Sequence, residues 1–201
     1  MLASTTLWDR PRNDSRCRRG FGLLGTFALF FTFGLGCSEW AAAADREEIE
    51  KLFRTGRYDE CLRLVDDEIA GDGWNEPLRH LKIKSQLARG KYPEALASLE
   101  EAVTRFRASI SLHLLGRDVY RLNGNDRDAG AELFTIDKLI QSGARRYATA
   151  DGFVTIGRYY LLRGTDARKV LDQFYDVVTK QQPDFLEAHY ASAELALEKE
   201  D

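Results

Sequence analysis

The chain has 201 residues, 44% of them apolar and 30% charged, and a net charge of −3 at pH 7. That balance excludes a disordered or fibrous chain and carries no nucleic-acid footprint, while leaving enough apolar material for a core. Only four prolines, few β-branched runs and a recurring period of about 3.6 residues predict an all-α fold.

Residues 1–44 differ from everything after them. Arg10, Arg12, Arg16, Arg18 and Arg19 precede an uncharged apolar run of 15 residues, Phe21 to Leu35, and Ala41, Ala42, Ala43 and Ala44 follow before Asp45. This is the layout of a secretory leader. The run is shorter than the roughly 20 residues of a spanning helix, so cleavage is expected rather than anchoring. Small residues one and three places before the cut suit a signal peptidase. Ala41 with Ala43 and Ala42 with Ala44 both qualify, giving a mature start near Asp45. Gly34-Leu35-Gly36-Cys37 offers a competing reading, because it resembles a lipobox with Cys37 as the lipidated residue, although Gly34 stands where leucine is usual. An uncleaved anchor is the third alternative. The leader carries a net +2, so cleavage takes the chain from −3 to −5 and leaves Cys61 as its one cysteine. A single cysteine excludes an internal disulfide and the paired spacings of structural zinc sites.

From Asp45 the pattern predicts a helix over about Arg46 to Thr55 with Ile49, Leu52 and Phe53 on one side, then a partner over Asp59 to Ala70 with Leu62, Leu64, Val65 and Ile69. Gly71 to Asn75 is the clearest loop, with Pro77 opening the next helix and Trp74 expected to pack across the joint. Three hexapeptides then set the scale: Gly56 to Cys61, Gly90 to Ala95 and Gly124 to Ala129. Each has glycine first, an acid fifth and a small residue sixth, and the glycines are 34 residues apart both times. Glycine ends one helix by entering the left-handed region, and the acid complements the dipole of the next. Past the third copy six extra residues enter the connection. A fourth copy follows, with Val170, Phe174 and Val177 inward on its second helix. Residues 184–201 read as a terminal helix with Leu186, Ala191, Leu195 and Ala196 inward, either a cap or the first helix of a fifth pair.

These residues resemble the tetratricopeptide repeat: Ala95, Leu99 and Ala102 fit its second helix, and Leu115-Gly116 with Tyr120 and Ile156-Gly157 with Tyr160 fit its first. The resemblance implies a right-handed α-solenoid of antiparallel helix pairs, about four repeats over 45–183 plus the terminal helix. It also implies a groove lined by the first helices. Its positions fall on Glu50, Lys84, Arg117 and Arg158 in one row and Arg46, His80, His113 and Val154 in the other. That row would be basic, suited to an anionic segment of a protein or peptide partner. The asparagines of the carboxylate-clamp subfamily are absent from Glu50, Lys84, Arg117 and Arg158.

No metalloprotease, nucleophile-elbow, phosphate-loop or dinucleotide motif occurs. His80, His113 and His189 are single, with His113 and His189 expected as packed rings, and neighbouring carboxylates point apart on helices, so no acid-base pair is expected. The expectation is a non-catalytic protein-binding scaffold without cofactor or metal, exported to the periplasm or beyond, and held to a membrane only through its leader or a lipid. Two rivals are the front end of a larger exported hydrolase and a self-associating assembly protein. In the second, Leu195→Asp would abolish association.

Overall fold

The computed structural model describes residues 38–199. The arginine-rich and apolar parts of the leader, and Cys37 with them, lie outside the described residues. The described chain is helical, without a strand. Its helices are α1 (Ser38–Arg54), α2 (Tyr58–Gly71), α3 (Glu76–Ala88), α4 (Tyr92–Arg105), α5 (Ile110–Leu122), α6 (Asp126–Gly143) and α7 (Ala150–Leu162). A 3₁₀ turn, Ala144–Tyr147, precedes α7. Next comes α8, residues 167–181, which joins Ala167–Val170, a π turn Leu171–Tyr175 and Asp176–Gln181. The last is α9 (Leu186–Lys199). The helix predicted from Arg46 begins earlier, at Ser38, and so includes Ala43 and Ala44.

Four glycines turn the pairs. Gly56, Gly90, Gly124 and Gly164 have φ of 77°, 71°, 75° and 80°. After each, the next backbone N–H (Arg57, Lys91, Asn125, Thr165) donates at 2.9 Å to the carbonyl five residues back (Leu52, Gln86, Tyr120, Tyr160). This closure consumes carbonyls that the helix end leaves unpaired, and only a residue without Cβ adopts it cheaply. Helix starts are fixed as regularly. The side chains of Asn75, Ser109, Asn125, Thr149 and Asp166 each accept the N–H three residues on.

Consecutive helices pack into pairs, and the first helices of neighbouring pairs also touch: α1 on α3, α5 on α7, α7 on α9. The buried clusters straddle the joints. Ile49, Leu52, Cys61 and Val65 of the first pair close on Leu78 of α3, and Ile83, Ala95, Leu99 and Ala102 of the second close on Leu112 and Val119 of α5. Ile110 and Ile136 meet Ile156 and Tyr159 of α7. Val154, Val170, Tyr175 and Val178 meet Ala188, Ala191 and Leu195 of α9. Each large side chain so buried is worth about 1.5–3 kcal/mol, and no pair covers its own two sides, which is why they stack. Cys61 fills its small slot, fully buried.

Several expectations are corrected. The six extra residues lengthen α6 and form the 3₁₀ turn rather than a loop. In α8 the fully buried set is Val170, Tyr175 and Val178; of the expected Val170, Phe174 and Val177, Phe174 is partly buried against the same core and Val177 is partly buried outside it. The π turn, in which the Asp176 N–H reaches back to the Leu171 carbonyl, adds one residue and shifts everything after it. Gly157 makes room: a Cβ there would lie 2.4 Å from Cε1 of Tyr175. Trp74 is exposed rather than plugged into a joint, holding only the edge of Phe106 at 5.9 Å and the Arg105 guanidinium at 5.4 Å. On α9, Leu186 and Ala196 face outward. Leu195 is core, so Leu195→Asp would break packing rather than report association.

Candidate functional site

The first, inner helices of the four pairs, α1, α3, α5 and α7, carry the residues expected to bind, and the structure sorts them into three groups. Two are not surface at all. Val154 is packed in the last cluster. His113 is closed in by α6: its Nδ1 bonds the carboxylate of Glu132, its Nε2 donates to the Arg107 carbonyl at 3.1 Å, and the two side chains are 6% and 13% exposed. The pair was missed because Glu132 lies 19 residues on, and only the packing of α5 on α6 joins them.

A second group is half-buried to exposed and already paired. Arg46 and Glu50 bond each other at 3.3 Å, Arg117 holds its neighbour Asp118 at 2.5 Å, and Arg158 spans to α9, reaching Glu187 at 2.7 Å and Glu194 at 3.2 Å. Burial disfavours the Arg158 charge, but its bonds to Glu187 and Glu194 outweigh that and raise its pKa. The expected basic row is therefore largely neutralised within the chain.

The third group is open. Lys84 is exposed and makes no ion pair among the described residues. One turn before it lies His80, mostly buried, with its Nε2 unbonded and 3.9 Å from Glu76. Burial first, then the charge of Lys84, pushes this imidazole down to about 4, so it is neutral at pH 7. Around them stand acids not singled out in the sequence. Glu76 opens α3 and accepts from Ser111 at 3.2 Å and from Ser109 at 2.5 Å. Asp151 opens α7, its carboxyl raised by partial desolvation and by the charges of Glu187 and Glu76, against Arg158 and Lys84. Glu76, Asp151 and Glu187 each lie in the first turn of an inner helix, on α3, α7 and α9, while the first turn of α5 between them has no acid. That placement was the available signal, obscured because acids in a first turn read as dipole complements.

The charges of Lys84, Arg158, Glu76 and Glu187, from three inner helices, all act on the Asp151 carboxyl, while Arg46 and Glu50 pair with each other at the first helix. This arrangement supports recognition more readily than chemistry. In the His113 and Glu132 pair both ring nitrogens are committed to acceptors, so neither is free to take a substrate proton. Among the described residues no three histidine, cysteine or carboxylate side chains are placed to hold a metal ion. No described helix is long and apolar enough to cross a membrane.

No family profile matches the chain, and no curated protein does. Among solved structures it is similar to the type III secretion translocator chaperone SycD of Yersinia enterocolitica, at 14% identity over 63% of this chain and 96% of that one, with a TM-score of 0.49. It is also similar to a thermophilic tetratricopeptide-repeat protein of Thermus thermophilus, at 19% identity over 74% and 78%, with a TM-score of 0.47. The chain's own geometry, four helix pairs each turned by a left-handed glycine and stacked through shared clusters, makes it an all-α solenoid of tetratricopeptide-like pairs.

Proposed function

We propose that this chain is a non-catalytic protein-interaction scaffold whose inner-helix face holds a segment of a partner protein. The observation that carries the reading is the approach of Lys84 on α3 to Asp151 on α7, near enough for its charge to act on that carboxyl, with Lys84 in no ion pair among the described residues. Lys84 supplies an anchor for an acidic side chain or a carboxyl terminus of the partner, and the Glu76 and Asp151 carboxylates frame it and select against long acidic runs. Site-specific photocross-linking from position 84, compared with position 134 on the outer helix α6, tests this. Adducts from 84 that fall when Arg158 is changed to Glu support the reading, and equal yields from both positions overturn it.

The same reading has the protein working after export, supported by the arginines, apolar run and alanines of residues 1–44. The mature mass and first residue decide it. A start near Asp45 gives a free exported scaffold, and a diacylated Cys37 gives a tethered one. An intact leader on a chain that stays in the cytosolic fraction, in a host that exports and processes a control secretory protein, overturns export.

A further inference from the structure

Three inner helices carry a basic side chain as their fourth residue: Arg79 on α3, His113 on α5 and His189 on α9. Each reaches back to the carbonyl six residues earlier, in the loop before its own helix. Arg79 bonds Gly73 at 3.3 and 3.2 Å, His113 bonds Arg107 at 3.1 Å, and His189 bonds Pro183 at 2.7 Å. In the first two the other side of the group grips a glutamate from the helix that completes the pair: Arg79 with Glu101 of α4 at 2.9 Å, His113 with Glu132 of α6. Arg79 and His113 are buried as a result, whereas His189 is exposed and bonds no carboxylate among the described residues.

The apolar face beside it is open in the same register. Positions 79, 83 and 87 of α3 correspond to His189, Ala193 and Leu197 of α9. Ile83 is fully buried and Leu87 partly buried in the cluster formed with Ala95, Leu99 and Ala102 of α4. On α9, Leu197 is 70% exposed, and Leu186 and Tyr190, on the same side, are 60% exposed each. The opposite side, Ala188, Ala191 and Leu195, is the one committed to the core. The complete pairs of this chain thus show what covers such a face: a helix with small and branched apolar residues at four- and three-residue steps, and a carboxylate aimed at the basic fourth residue.

We propose that the outward face of α9 is a docking site for one amphipathic helix of a partner protein, which packs on α9 as α4 packs on α3 and presents a carboxylate to His189. This surface is separate from the inner face around Lys84, and the inference does not rest on that reading.

The probe is an acetylated, amidated peptide of residues 91–106, the stretch that covers α3, titrated into the ¹⁵N-labelled full chain. The expected result is saturable shifts confined to residues 182–199. Changing Tyr190 and Leu197 together to Lys abolishes them, while far-UV circular dichroism and the melting temperature hold because both side chains are exposed. Glu101→Gln in the peptide weakens binding roughly tenfold or more, the loss of one charge-assisted bond. Lys84→Glu in the chain leaves the titration unchanged, which separates this site from the inner face. Absence of binding, or shifts centred on α3, overturns the proposal. So does a concentration-dependent dimer lost in the Tyr190 and Leu197 variant, which would assign the face to a second copy.

Discussion

Replacing Glu132 by Gln isolates the charge of the buried pair with His113 while keeping its size. Both imidazole nitrogens face acceptors, a carboxylate at Nδ1 and the Arg107 carbonyl at Nε2, so only the doubly protonated ring satisfies both. Burial works against that charge, but the bonds to Glu132 and to Arg107 outweigh it and raise the histidine pKa. A pKa raised above the free value of about 6.5 gives stability that is complete below that pH and lost as pH rises through the folded value. With both side chains less than one-seventh exposed, solvent screens the pair little. A hydrogen bond to a charged group is worth about 1.5–3 kcal/mol, which in a domain of this size is about 4–8 °C in melting temperature. Glutamine can donate to Nδ1 of a neutral ring, so Glu132→Gln costs that amount at pH 6 and clearly less at pH 9. Urea unfolding of both proteins at the two pH values measures it, and taking their difference cancels groups common to both. An equal difference at pH 6 and pH 9 would refute the charged pair.

His80 titrates in the other direction. Its folded pKa of about 4 lies below the free value, so stability falls as pH drops from about 6.5 toward 4, by about 3 kcal/mol in all. His80→Phe should flatten that limb of the acid unfolding curve, and an unchanged slope would count against burial of the neutral ring. Gly157→Ala forces a Cβ into the Tyr175 ring and should cost about 1–3 kcal/mol. Thermal melts of the single variant and of one that also carries Tyr175→Leu check this, the second change restoring part of the loss. Gly90→Ala meets no neighbouring atom but retains φ of 71°, so its cost of about 1–2 kcal/mol is purely conformational, and Gly90→Asn should lose less.

The turn glycines, the stop and start of each pair and the small slot at Cys61 were legible because each is a local rule written in neighbouring residues. The phase within helices was less so. Val170, Phe174 and Val177 fit a 3.6-residue period as well as any set in the chain, and Gly157, on the other helix of the same pair, makes room for Tyr175. His113 was assigned to the groove beside His80, but it lies 11 residues before its turn glycine where His80 lies 10 before its own, and that fourth position of α5 points at the paired helix. The pairing of Arg158 was hidden for a different reason: the acids that neutralise it come from α9, 29 and 36 residues on, and no spacing rule links them.

The π turn of α8 has a wider meaning for how such a chain can change length. One additional residue, taken up inside a helix rather than at a turn, rotates the second half of that helix by about 100° relative to the first. Val170 and Tyr175 still reach the same layer, the one shared by α7 and α9. The stack therefore counts layers and not residues. An insertion can persist at this point so long as a glycine on the facing helix yields the space, and the helix that accommodates it becomes a vernier, matching a pair of uneven length to its neighbours.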